Sequence, residues 1–491
     1  MKTIKTSSIL LIFLFTLLSC DYKVSEEKTK QPNILWIYVD DMSDWMGAYG
    51  DQTIPTPNID MLAENGVKFN RAYMPAPVCS ATRSAIITGT MQTTLGIHQH
   101  RTMIKKVLPD SIKTIPELFK NAGFITFNEE KTDYNFAYNY NDLYSSEFKR
   151  PNDKIVKSHL VGHDLTWLQQ LEGEKFFGQI QLSGGKWQGE VGRYYPAPSR
   201  IKESEVTVPS QYPDTPIIRN AIARHYEQIA YCDSQVGAII EALKEYNLWD
   251  NTAIFFFTDH GSQMPRAKQY VYEEGAKVPL IVHWPKGYDV LKIRGKERSD
   301  LVSGIDIATS SLGLAGIKIP NFMEGKNLFD KQYKEREYVV TARDRMGIAI
   351  DYIRAVRTDK YLYIKNFLTD RPLYQSNYRD SYYTFKELRN LYEQNKLTSL
   401  QATYHDAKHR PEEELYYIEK DSNQIQNLAS NRMFEDILIK HRNYLKEWQL
   451  QTNDKGMYPI DIDELKKVYE KSSSKVVNPE YNIFKTPKKN N

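Results

Sequence analysis

Cysteine is scarce in this 491-residue chain, which has three, at positions 20, 79 and 232. No disulfide framework can carry such a fold. Net charge is equally scant: 65 Lys and Arg against 62 Asp and Glu leave +3. That excludes a nucleic-acid binder held by bulk charge. Glycine and proline, 24 and 22 residues, are too few for a collagen-like or low-complexity chain, and no internal repeat is visible. The 41% hydrophobic and 26% charged composition is that of a chain with a sizeable core. Its length suggests two or three core-sized units.

Long apolar runs are missing as well. The one near the amino terminus, from Ile9 to Leu18, falls short of the ~20 residues that span a bilayer. Preceded by Lys2 and Lys5, it reads as a signal peptide over residues 1–19. Leu17-Leu18-Ser19-Cys20 resembles a bacterial lipobox, so Cys20 is the expected lipidation site. The protein would then be exported and held to a bacterial membrane, on the periplasmic or cell-surface face, through that lipid alone. Residues 20–31 are polar and aperiodic, as a tether should be.

From Pro32 the texture alternates between strand-like and helix-like segments. Asn33–Val39 is a continuous apolar run that ends in Asp40-Asp41, and Ala253–Thr258 ends in Asp259-His260-Gly261. Both read as buried parallel strands that deliver acids at the carboxyl edge of a sheet, where ligands bind in open α/β folds. Phe176–Leu182 and Pro279–Trp284 read as further strands. Helices are expected over 58–64, 114–121 and a long stretch opening at Asp214-Thr215-Pro216, with Val236, Ile239, Ile240 and Leu243 at core spacing. Cys232 on that helix is a buried small hydrophobe. The fold class is therefore α/β, a mostly parallel central sheet with flanking helices, over residues 32–330. Residues 331–470, with short strands and Tyr-rich helical sequence, read as a smaller α+β subdomain with an antiparallel sheet, and 471–491 as a loose basic tail.

Pro75-Ala76-Pro77-Val78-Cys79-Ser80-Ala81-Thr82-Arg83 places a cysteine where a proline-stiffened loop enters a helix, with Arg83 one turn later on the same face. A helix start and a guanidinium both favour an anion. Taken alone, the segment is equally a free cysteine at a helix start. Cys79-Ser80-Ala81-Thr82-Arg83 followed by Thr88-Gly89 resembles the signature of the type I sulfatases, in the alkaline phosphatase superfamily. Asp40-Asp41, Asp259-His260-Gly261, Tyr272-Glu273-Glu274-Gly275, Glu413-Glu414-Leu415-Tyr416 and Asn427-Leu428-Ala429 fall in the family's order, so the resemblance runs from about Asn33 to about Asn431.

The resemblance implies an alkaline phosphatase-like fold, with residues 32–330 as the catalytic domain, and a sulfatase. Cys79 would be oxidised to formylglycine (3-oxoalanine) by a maturation enzyme. One ion, usually calcium, would be bound by Asp40, Asp41, Asp259 and His260 and would touch residue 79. The hydrated aldehyde would attack sulfur and later collapse to expel sulfate. Arg83 would hold the diol or the sulfate, and Lys131 and Lys268 fall where the family places its sulfate-binding lysines. The chemistry suits these residue types, since a hard cation with carboxylate ligands offsets the repulsion between a nucleophile and a sulfate ester.

Two positions depart from the family pattern. Glu130-Lys131-Thr132-Asp133 has Asp133 where a histidine is usual, and Ser183-Gly184-Gly185-Lys186-Trp187 lacks another usual histidine. His98 and His100 could protonate the leaving alcohol, contact substrate, or be structural. Lys186, Asp133, Arg343, Asp344 and Arg345 are candidates for reading the substrate, with structural ion pairs as the alternative. The expected substrate is a sulfated carbohydrate, a fragment of an algal polysaccharide such as ulvan or of a glycosaminoglycan. Two alternatives stay open: a phosphate or phosphonate ester hydrolase of the same superfamily, and a non-catalytic lipoprotein that captures sulfated glycans.

Overall fold

The computed structural model describes residues 31–129, 131–145, 165–182, 184–186, 201–286, 288 and 293–485. The expected signal segment, Cys20, nearly all of the tether, Ser183, Trp187 and residues 486–491 lie outside the described residues. Asn33–Val39 is a strand with every residue buried, and it pairs in parallel with Phe176–Leu182 on one side and Thr252–Thr258 on the other. Burial on both faces explains why these segments read as continuous apolar runs. Leu35, Ile37 and Val39 pack with Ile222, Ile229, Val236 and Ile239 of the helix Pro216–Glu245. Ile34, Trp36 and Tyr38 turn the other way, to Ile86 and Ile87 of the helix Cys79–Thr88 and to Ile307 and Leu312.

The eight-stranded sheet runs in the order Val302–Ser303, Gly66–Tyr73, Lys277–His283, Thr252–Thr258, Asn33–Val39, Phe176–Leu182 and Ile125–Glu129, with Lys296–Arg298 also on Gly66–Tyr73. Only Lys277–His283 is antiparallel to its neighbours. The register aligns Val39 with both Leu182 and Thr258. The ladder then continues one step, with the Asp40 amide donating to the Leu182 carbonyl (3.0 Å) and the Asp259 amide to the Val39 carbonyl (2.9 Å). Three strand ends therefore open onto one edge.

A second sheet of four antiparallel strands, Tyr338–Arg343, Ile353–Thr358, Tyr361–Asn366 and Glu413–Tyr417, accounts for the expected carboxyl-terminal part. It shares a core with the first part: Tyr270, Val271 and Tyr272 pack with Ile353, Ile364 and Tyr374. Residues from Gln31 onward form a single unit.

The loose tail expected from 471 is corrected by the structure as far as residue 485. Helix Ile462–Ser472 is followed by a 3-10 helix, Pro479–Phe484. Tyr481 is fully buried among Ile350, Leu465, Val468 and Val476, and its hydroxyl donates to the Ile348 carbonyl at 3.2 Å. Asn478 accepts from the Ile350 amide (3.1 Å) and donates to Gln375 (2.7 Å). A few anchors at irregular spacing hold this segment, so it carries no periodic signal. Replacing Tyr481 with alanine should cost about 3 kcal/mol through lost burial and an unpaired carbonyl. A thermal unfolding midpoint indistinguishable from the parent protein would contradict this packing.

Candidate active site

The shared edge brings together residues more than 200 positions apart. Asp40 and Asp41 leave the Asn33–Val39 strand, Asp259 and His260 leave Thr252–Thr258, and all four side chains are buried. Asp41 turns with a left-handed φ of 57°, and its amide donates to Asp259 Oδ1 at 3.0 Å. Gly185 passes directly over this turn: a Cβ there would lie 1.8 Å from the Asp41 carbonyl oxygen. Only glycine permits that approach, and it brings the next residue, Lys186, into contact with Asp40.

Cys79 is the first residue of the helix Cys79–Thr88, all of which is buried. Two serines of this helix hold the loops that border the site. Ser80 Oγ accepts from the Arg101 amide (2.9 Å) and Ser84 Oγ from the Asn135 amide (2.8 Å). Cys79 Sγ lies 3.2 Å from His260 Nε2 and 3.5 Å from Lys268 Nζ. Arg83 is fully engaged. Its Nη2 meets Asp40, its Nε lies 3.3 Å from Asp259 and its Nη1 donates to Gln181 at 2.7 Å, while its plane stacks over Tyr38 at 4.1 Å.

Lysines cover the remaining carboxylate oxygens. Lys131 Nζ donates to both Asp40 oxygens at 2.9 and 3.0 Å, and Lys268 Nζ donates to Asp41 Oδ1 at 2.6 Å. Burial would raise the Asp40 and Asp41 pKa values, but Arg83, Lys131 and Lys186 around Asp40, and Lys268, His260 and Lys186 around Asp41, hold both well below the usual carboxylate range. Asp259 goes the other way, pushed up by burial and by the adjacent Asp40 charge. Burial would also raise the Cys79 thiol, yet Lys131, Lys268 and His260 bring it well below its ordinary value.

The donor set fits a hard cation. The ligand atoms of Asp40, Cys79 and Asp259, and those of Asp41, Cys79 and His260, each gather within 4.8 Å of one another. His260 Nδ1 faces the Gly261 carbonyl at 2.9 Å. With Nδ1–H donated to that carbonyl, Nε2 faces Asp41 (3.0 Å) and Asp259 (3.5 Å), whose charges favour a proton there and would equally favour a metal cation in its place. Three carboxylates with one imidazole give a charge and hardness suited to a divalent ion.

The remaining sequence candidates divide. Asp133 pairs with Arg101 (3.3 Å) and lies 3.7 Å from Lys131, which brings it to the rim of the cluster. His100 is nearby: burial, Arg101 and Lys268 lower its pKa well below the ordinary value, and its Nδ1 has no hydrogen-bond partner. The charges around His98 are Asp344, Arg354, Asp454 and Lys106, so it belongs to another cluster. There Arg354 bonds Asp344 (3.1 Å) and Asp454 (2.8 Å). Arg343 lies deeper: its guanidinium is wholly buried over the Tyr270 ring at 4.5 Å, with Asp351 at 3.7 Å. Arg345 is held by Glu464 and by the Gly347 carbonyl, both at 2.6 Å.

Sequence reasoning passed over Gln181 and Gln263. Gln263 donates to Asp41 Oδ2 at 2.6 Å. Gln181 was detectable, because Gln179 and Gln181 interrupt an otherwise apolar strand, and a polar side chain in such a strand must find a partner. A cavity of about 600 Å³ opens beside His100 and Arg101, with Tyr378, Met103 and Ile348 on its walls. Arg101 and His100 carry it to the cluster through their contacts with Asp133 and the charge of Lys268.

Comparison with known proteins agrees with this geometry. Residues 32–317 match the sulfatase family, and residues 264–411 match the carboxyl-terminal region of N-sulphoglucosamine sulphohydrolase. An ulvan-active sulfatase of Formosa agariphila is 29% identical over 470 residues, spanning 88% of this chain and 76% of that one. Human N-sulphoglucosamine sulphohydrolase is 25% identical over 476 residues, 87% of this chain and 91% of that one. Among solved structures, a 2-O GAG sulfatase has the same fold, with a TM-score of 0.61 at 21% identity over 88% of this chain and 95% of that one. The sulfatase match takes in the Cys79 helix, both acid-bearing strand ends and the three lysines, and the chain belongs to the type I sulfatases of the alkaline phosphatase-like superfamily.

Proposed function

We propose that this sulfatase hydrolyses sulfate esters on a carbohydrate, a fragment of a sulfated polysaccharide, with residue 79 carried as formylglycine and calcium as its metal. The convergence of Cys79, three buried carboxylates and three lysines on one sheet edge carries this reading. Relatives named for ulvan and for N-sulphoglucosamine support the carbohydrate class.

Asp40, Asp41, Asp259 and His260 are the residues that would hold the metal, and residue 79 would face it. In place, the cation offsets the carboxylates and polarises sulfuryl oxygens, while the hydrated aldehyde supplies the attacking hydroxyl. The chain's own side chains do the remaining work. Lys131, Lys186 and Lys268 can exchange their contacts with Asp40 and Asp41 for the sulfate oxygens, because an ammonium reorients at little cost. Arg83 has no such freedom. Anchored to Asp40, Asp259 and Gln181, it fixes the carboxylates and acts as a positioning residue. Burial, Arg101 and Lys268 lower the His100 pKa, its Nδ1 is unpaired, and the residue lines the cavity. A bound sulfate ester would raise its affinity for a proton, which it then passes to the departing sugar oxygen. Asp133 keeps Arg101 in place beside it. We propose further that a formylglycine-generating enzyme matures residue 79 and that Cys20 carries a lipid anchoring the protein to a bacterial membrane.

Matured enzyme should release inorganic sulfate from sulfated oligosaccharides and far less phosphate from matched phosphate esters. Cys79→Ala and Asp259→Ala should each abolish release while circular dichroism stays unchanged; full activity in either variant would remove that residue from the chemistry. His100→Ala should slow release from a sugar sulfate by about 10²–10⁴-fold but hardly affect an aryl sulfate whose leaving group needs no proton. Equal losses on both substrates would assign His100 to binding. Cys20→Ala should shift the protein from membrane to soluble fractions, and unchanged fractionation would count against the lipid anchor.

A further inference from the structure

The cavity beside His100 is also lined by the helix Ile462–Ser472, through Val468, Lys471 and Ser472, and by Lys475 in the turn that follows it. Its charges do not balance. Arg101 is paired with Asp133, Arg345 with Glu464 (2.6 Å) and Asp380 with Arg389 (2.7 Å). Among the described residues, no hydrogen bond or ion pair engages the Lys471 or Lys475 ammonium. Two uncompensated cations thus line a space that His100 and Arg345 also line. Met103, Ile348 and Tyr378 supply the apolar surface against which a sugar ring packs.

We infer that Lys471 and Lys475 form a second anion subsite, which binds a carboxylate or sulfate on the sugar next to the one that loses its sulfate. This rests on the glycan-sulfatase reading and narrows it to polyanionic glycans. Two like charges lining one cavity repel each other when it is empty, and an anion between them removes that cost. Because these lysines line a cavity that reaches His100 and Arg101 but not Cys79 or the buried aspartates, the subsite reads the neighbouring sugar and takes no part in the chemistry. The preference for such a substrate should weaken with salt, since exposed charges are screened within about 8 Å at physiological ionic strength.

The test uses full-length Cys79→Ala protein, which binds without turnover, and calorimetric titration with three sulfated disaccharides that differ only in the neighbouring sugar: neutral, uronate or sulfated. The charged ligands should bind about tenfold more tightly than the neutral one at low salt. Adding Lys471→Gln and Lys475→Gln should bring that ratio to about one, and Lys471→Arg with Lys475→Arg should restore it. A gain with the uronate alone or with the sulfated sugar alone identifies which anion is read. Equal affinity for all three ligands in the Cys79→Ala protein, or a ratio unmoved by the glutamine pair, overturns the inference. Sulfate release from the neutral-flanked disaccharide by matured wild-type enzyme checks the underlying reading separately: release with no charge preference sinks the subsite and leaves the sulfatase reading standing.

Discussion

Three carboxylates are buried together at the end of two parallel strands, and that placement is tolerable only because positive charge surrounds them. Isolated, each would surrender its charge to burial; clustered, they would also repel one another. Arg83, Lys131, Lys186 and Lys268 offset this for Asp40 and Asp41, with a lysine on each, and Arg83 reaches on to Asp259, whose pKa stays raised by burial and by Asp40. The same arrangement defines what the site accepts. A divalent cation can replace some of the positive charge, and an incoming sulfate can take over the freed lysines, so ligand binding exchanges ion pairs without exposing a bare charge. Buried pairs of this kind contribute little to stability overall. Their value here is positional.

Much of this was legible in the sequence, for local reasons. An apolar run that ends abruptly in Asp-Asp, and another that ends in Asp-His-Gly, specify both the strand and the edge at which its acids emerge, because strand burial and the end of the run are read from the same residues. The helix beginning at Cys79 was readable from its prolines and from Arg83 one turn on. Lys131 and Lys268 were placed by the family resemblance and not by any pattern of their own, and both reach the acids.

What escaped notice depends on contacts between distant segments. Arg343 and Arg345 sit in one polar stretch, yet Tyr270 covers the first while Glu464 holds the second at the cavity wall, and neither partner is near them in sequence. The final residues looked loose because Val476, Asn478 and Tyr481 are few and irregularly spaced. Their partners, Ile350, Gln375 and Leu465, lie on three separate segments. Gln263, two residues beyond the Asp-His-Gly turn, had no local signature, since an amide there serves equally well in solvent.

One guanidinium from the carboxyl-terminal part shapes the loop that carries Lys268. Arg379, fully buried, donates to the backbone carbonyls of Gln263 (3.0 Å), Met264 (2.8 Å) and Lys268, and lies 3.4 Å from that of Pro265. A flat fork with five donors acts as a mould for the curve of that loop, which an ammonium could not do. The larger sheet therefore borrows the contour of its own catalytic rim from a residue more than a hundred positions downstream. Severed near position 330, it would lose that form together with the side chains that close over Tyr270 and Ala85.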